Sequence, residues 1–230
     1  MVGIYVSTSL DTNKIWVATI ARRSFIMSKM NITPDYRNDV TLTGKITYVY
    51  RSNATTFFTI RTFTGKINTP QVRFYGNMKD KVADFAVGDY VTIKGRIASI
   101  KKEENTIRWP NQFIVGNEIE AVAPIMETAF NKEATSDRPN YPSENVMYLA
   151  GRILHASKPA DNVQNYLFYT ESLGKVSIIQ LTQYVDPDAT PFAKGDFVNI
   201  YGTVQTSPKE KDGKPYMFTN FVISEIQKTN

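Results

Sequence analysis

Apolar residues alternate with polar ones through most of this chain, the period of strands with one buried face rather than of helices. The runs lie at 40–50, 56–63, 71–75, 90–100 and 106–119, and again at 146–154, 166–170, 176–182, 197–204 and 216–226. One stretch breaks the pattern: in NMKDKVADF, Met78, Val82 and Phe85 recur at helical spacing, and Asn77 is placed to cap the helix start. Gly88 with Asp89 then turns the chain into the next strand. The matching stretch of the second set, YVDPDATPF, carries Pro187 and Pro191, which predict a turn or loop instead of a helix.

The two sets are copies. Gly44, in Val40, Leu42, Gly44, Ile46, returns 107 residues later as Gly151, in Met147, Leu149, Gly151, Ile153. FAVGDYVTIKGRI from Phe85 returns as FAKGDFVNIYGTV from Phe192, and Trp109, Ile114 and Glu118 return as Tyr216, Phe221 and Glu225. One offset held by early, middle and late landmarks indicates a tandem duplication. Three strands, a helix and two strands is the order of an OB-fold, a small five-stranded Greek-key barrel. The expected fold is therefore all-β with one short helix, as two OB-fold barrels in tandem. Residues 1–37 form an extension, 38–122 the first barrel, 123–145 a polar linker framed by Pro124, Pro139 and Pro142, and 146–230 the second barrel. The first 26 residues read either as a mis-assigned upstream stretch ahead of Met27 or as an accessory strand in which Arg22 and Arg23 extend a basic surface.

Composition narrows the chemistry. Cysteine is absent, which removes disulfides, thiolate nucleophiles and the commonest zinc sites. The single histidine, His155, reads as an ordinary strand or loop residue of the second unit, and neither a metal nor a cofactor is expected. No apolar run reaches membrane-spanning length, and the apolar stretch at 15–20 lacks the flanks of a signal peptide, so no membrane partner is expected. The net charge of +5 is unevenly placed: residues 38–122 hold 12 Lys and Arg against 8 Asp and Glu, whereas 146–230 hold 8 against 8. A polyanion partner is indicated, met mainly by the first unit.

Period two sorts the strands into faces. With Phe58, Ile60, Val72 and Phe74 inward, the outward set is Phe57, Thr59, Arg61, Phe63, Arg73 and Tyr75. Rings interleaved with guanidinium groups suit unpaired bases: each base offers a π-face whatever its identity, and the cations track phosphates. A one-residue error in register exchanges the two faces and makes these rings core. Lys94, Arg96, Lys101, Lys102 and Arg108 extend the groove along the fourth and fifth strands, with a solvated hairpin tip as the alternative for Lys101 and Lys102; Trp109 either stacks a base or covers the barrel end. In the second unit Tyr166, Phe168, Ile178, Gln180 and Thr182 read as outward. That face lacks cations, so it binds weakly, binds by stacking alone through Tyr166 and Phe168, or meets another subunit through an apolar patch of Phe168 and Ile178.

The segment VRFYGNMKDKVADFAVGDYVTIKGRI from Val72, with VTLTGKI from Val40, resembles the central part of bacterial and phage single-stranded DNA-binding proteins. The resemblance implies coating of exposed single-stranded DNA in replication, recombination or repair, with replication or recombination proteins as partners, in the cytoplasm of a bacterial or phage-infected cell. It implies base stacking at Tyr75, in its aromatic-Gly pair with Gly76; the second unit shows Thr182 and Gln183 there, so that role is not carried over. It also implies four barrels per assembly, hence a homodimer. The family's bacterial members end in an acidic tail, whereas this chain ends EIQKTN, which points toward a phage or plasmid version.

Three further functions remain. An RNA-binding tandem barrel is one, because stacking and phosphate contacts barely discriminate the sugar. A structural or assembly protein using its barrels for protein contacts is another. An enzyme is disfavoured, since Asp80, Asp84 and Asp89 are explained by helix and turn positions better than by a metal cluster.

Overall fold

The alternating segments close into two rings of strands. The structure is a computed structural model that describes residues 35–100, 111–123, 142–211 and 213–229. In the first ring β1 (Arg37–Arg51) pairs with β2 (Thr56–Phe63), which pairs with β4 (Gln71–Phe74). Strand β4 lies parallel to β6 (Asn111–Ala121), and β5 (Tyr90–Ile100) closes the ring between β6 and β1; β3 (Ile67–Asn68) is a two-residue addition to β2. The second ring repeats the order with β7 (Glu144–Ala160), β8 (Val163–Ser172), β9 (Lys175–Tyr184), β10 (Phe197–Lys211) and β11 (Lys214–Lys228), again with one parallel pair, β9 with β11. Both rings are OB-fold barrels, as the strand order predicts.

Each barrel encloses one core. Phe58, Ile60, Val72 and Phe74 are fully buried in the first, alongside Leu42, Ile46, Ile93 and Ile114. Helix α1 (Asn77–Lys81) follows β4, and Val82 just beyond it is buried, with Met78 and Phe85 packed against the core. The expected cap is corrected: Asn77 is the first helical residue, and the N-cap is Gly76 at φ 54°, without a side-chain bond. In the second barrel the equivalent stretch is a turn, closed by the Ala189 amide on the Asp186 carbonyl.

Glycine marks the places where strands touch most closely. A Cβ on Gly44 would lie 2.2 Å from the Arg61 carbonyl oxygen, and one on Gly151 would lie 2.0 Å from that of Tyr169. The repeat preserves a steric need as well as a pattern. It also preserves a clasp: the side-chain amide of Asn38 donates to the Ile97 carbonyl (2.8 Å) and accepts from its amide (2.9 Å), and Asn145 does the same to Val204 at 2.7 and 2.8 Å.

The barrels share one sheet, because β1 runs antiparallel to β7. Val40 lies opposite Met147, Arg37 opposite Ala150 and Thr43 opposite Glu144. Each of these pairs maps onto itself or another pair when the repeat copies are exchanged, so a local two-fold axis relates the barrels. Bonds away from the ladder obey the same symmetry. The Thr69 amide donates to Thr206 Oγ1 (2.8 Å), and its counterpart, the Ile178 amide, donates to Ser99 Oγ (3.0 Å). The described residues from Tyr36 onward form one compact unit containing both barrels.

The offset of 107 holds for β1, β5 and β6 but not between them. Ile46 pairs with Ile60, while its copy Ile153 pairs with Phe168, 108 residues beyond Ile60. Val72 faces Phe58 whereas Leu181 faces Tyr166, so the fourth strand is displaced by 109. The second hairpin is one residue longer, and one residue exchanges the faces of a strand.

Candidate nucleic-acid interface

On the first barrel β2 alternates buried and half-buried residues from Thr56 to Phe63, so Phe57, Thr59, Arg61 and Phe63 are all on its outer side. Arg73 stands directly across from Phe57 on β4, and Tyr75, 41 % exposed, follows at the end of that strand. The Arg73 guanidinium lies 4.5 Å from the centre of the Phe113 ring on β6, an arrangement that holds the cation at the surface.

Two rings absent from the sequence-derived set join this face. A register shift in β1 between Ile46 and Tyr48 turns Tyr48 and Tyr50 outward, with Val49 inward against the core. Tyr50 stacks on Phe57 (centroids 4.9 Å apart, planes 23° apart), and Tyr48 lies 5.8 Å from the same ring. Tyr48, at 51 % exposed, and Tyr50, at 44 %, are large rings left in solvent. Alternation counted from Val49 instead of Ile46 reveals them; alternation carried through the bulge does not.

The fourth and fifth strands contribute less than expected. Lys94 is exposed but sits beside Thr41 and Glu118, 3.6 Å from the Glu118 carboxylate, and not beside β2 or β4. Arg96 is buried, and burial lowers its guanidinium pKa from the ordinary value. Arg96 follows directly on the register shift between Lys94 and Gly95, and its burial removes it from the exposed groove. Lys101, Lys102, Arg108 and Trp109 lie outside the described residues.

The second barrel overturns the outward assignment of Tyr166 and Phe168: both are fully buried core. The extra hairpin residue inverts β8, and the Tyr166 hydroxyl tolerates the interior because it donates to Gln164 Oε1 (2.5 Å) and accepts from the Phe192 amide (3.4 Å). Burial pushes this phenol's pKa up, the Phe192 amide pulling the other way. Thr182 is buried too, its hydroxyl bonded to Asn165 and Asn220. Ile178 and Gln180 meet the first barrel of the same chain: Gln112 accepts from the Gln180 amide (2.8 Å) and donates to its carbonyl (3.2 Å). The register fixes the true counterparts of the first barrel's surface. His155, Ser157 and Asn165 replace Tyr48, Tyr50 and Phe57, and Tyr169 and Thr182 replace Arg61 and Arg73. Only Tyr75 keeps its chemistry, in Tyr184, which is 62 % exposed and was hidden by the shifted offset.

Among the described residues no group of three or more acidic or histidine side chains is arranged to hold a metal ion, and no helix is long and apolar enough to cross a membrane.

The fold and this face define the class as a two-barrel OB-fold protein. No family model matches the chain, and no curated protein matches it in sequence. Solved structures do. The wild-type single-stranded DNA binding protein from Thermus aquaticus is matched with a TM-score of 0.56 at 11% identity, over 85% of this chain and 94% of that one. A deletion mutant of that protein is matched with a TM-score of 0.55 at 13% identity, over 85% and 96%. At such identities the likeness is one of fold.

Proposed function

We propose that this protein binds single-stranded DNA without strong sequence preference, mainly on its first barrel, and acts as a non-catalytic coat on exposed DNA in replication, recombination or repair. The observation that carries this is the solvent-facing stack of Tyr48, Tyr50 and Phe57 beside Arg73. Exposed rings forfeit burial, and bases restore it at roughly 1–3 kcal/mol per stack. The fold shared with proteins described as single-stranded DNA binding supports the reading. Two chains, supplying four barrels, make the assembly we favour, in a bacterial or phage-infected cell.

Titrating the full chain with labelled oligo-dT, oligo-rU and duplex DNA at two salt concentrations tests it. Oligo-dT is expected to bind tightest and to weaken as salt rises. Tyr50→Ala with Phe57→Ala should cost about 5- to 150-fold per stacked base lost. Equal affinity for duplex overturns the proposal, and stronger binding of oligo-rU replaces DNA with RNA.

A further inference from the structure

A cleft of about 400 Å³ opens where the barrels meet. It is lined by Gln71 with its counterpart Gln180, by Asn111 with Phe218 and by Gln112 with Thr219, and these three exchanged pairs put the cleft at the local two-fold axis. Its volume is in the range of small-ligand sites, about 300–1,000 Å³. Its two sides are tied together by the two bonds between Gln112 and the Gln180 backbone.

Position and chemistry both indicate what enters. The outward residues of β4 are Arg73 and Gln71, with Tyr75 just beyond its end, and Arg73 and Gln71 line the cleft, so the first barrel's binding face leads into it. Arg73 reaches its wall with the guanidinium over Phe113. From the other side come Tyr216, 43 % exposed, and Phe218, whose ring lies 3.9 Å from the Lys209 ammonium. The second barrel has lost the first barrel's ring stack, yet here it presents rings and a cation together. The cleft thus offers flat apolar faces from both barrels with a positive charge at each side, which is the chemistry of an unstacked base and its phosphates.

We infer that the cleft seats a nucleotide of the bound single strand as it passes from the first barrel to the second. This rests on the proposed function and adds to it a site on the symmetry axis. The test uses wild-type protein and oligo-dT carrying one 5-iododeoxyuridine at successive positions, irradiated and mapped by mass spectrometry. Adducts on Tyr216 or Phe113 are expected from an interior position, flanked by positions that mark Tyr50 or Phe57. In parallel, Tyr216→Ala with Lys209→Gln should weaken binding of an oligo long enough for both barrels by roughly 5- to 150-fold. It should leave unchanged a short oligo confined to the first barrel. Adducts on Tyr50 and Phe57 alone overturn the crossing while the binding function stands, as does an equal effect of the variant on short and long oligos, or none. Failure of wild-type protein to bind any oligo overturns the function itself.

Discussion

Gly44 and Gly151 show how one missing side chain shapes a barrel. Both sit where a neighbouring strand brings a carbonyl oxygen into the space a Cβ would fill, at 2.2 and 2.0 Å. The obstacle is backbone, which cannot swing aside as a flexible side chain would. Gly151→Ala also drives the new carbon to 2.8 Å from the Phe168 ring, inside the core. Overpacking of this kind costs about 1–3 kcal/mol, and Gly151→Ala is expected to lower the urea midpoint accordingly. An unchanged midpoint would mean that the strands separate at no cost. The binding face follows a similar logic. Tyr48 and Tyr50 face solvent because one bulge residue re-aims the strand, whereas Tyr166, a ring that looks equally suited to stacking, is committed to the core by its bonds to Gln164 and Phe192.

At the scale of elements, each barrel is pinned by an asparagine at the start of its first strand, and the two pins differ. The Asn38 side chain bonds only the Ile97 backbone among the described contacts, while the Asn145 side chain bonds the Val204 backbone and also donates to Thr62 Oγ1 of the other barrel at 3.1 Å. Replacing either by Ala strands a buried N–H and C=O at roughly 1–3 kcal/mol per group. Asn145→Ala is expected to destabilise more than Asn38→Ala in chemical unfolding; equal losses would show that the bond to Thr62 contributes nothing. Strand order and closure were legible from the order of elements, and the faces of β2 and β4 from alternation, with Phe58, Ile60, Val72 and Phe74 buried as read. The faces of β8 were not. Its hairpin carries one additional residue, which keeps the alternation intact and reverses what it means, and the same slip hid Tyr184 behind Thr182 and Gln183. The engagement of Gln180 was illegible for another reason, since it depends on where one barrel lies against the other, and the burial of Arg96 was illegible because it follows a register shift that alternation does not reveal.

For the whole molecule, the β1–β7 ladder makes two barrels into one folding unit. The ladder runs from Arg37 opposite Ala150 to Thr43 opposite Glu144, and the Thr170 hydroxyl lies 2.8 Å from both the Arg37 and Ala150 carbonyls. Unfolding either barrel alone would expose one side of this ladder and strand the side-chain bonds that cross it. Calorimetry is therefore expected to show a single transition, with the calorimetric and van't Hoff enthalpies in agreement. Two resolved transitions would mean that the shared sheet does not couple them. The axis through Val40 and Met147 has a further consequence for the polymer we propose lies across it. A nucleic acid strand has a direction, from its 5′ to its 3′ end, and a two-fold axis reverses the sense in which the second surface is traversed. A strand running straight across the axis therefore meets the second barrel with its polarity reversed relative to the first, and identical contacts on both would require it to turn back. The second barrel accordingly presents other groups to the strand, Tyr184, Tyr216 and Lys209, in place of a copied ring stack.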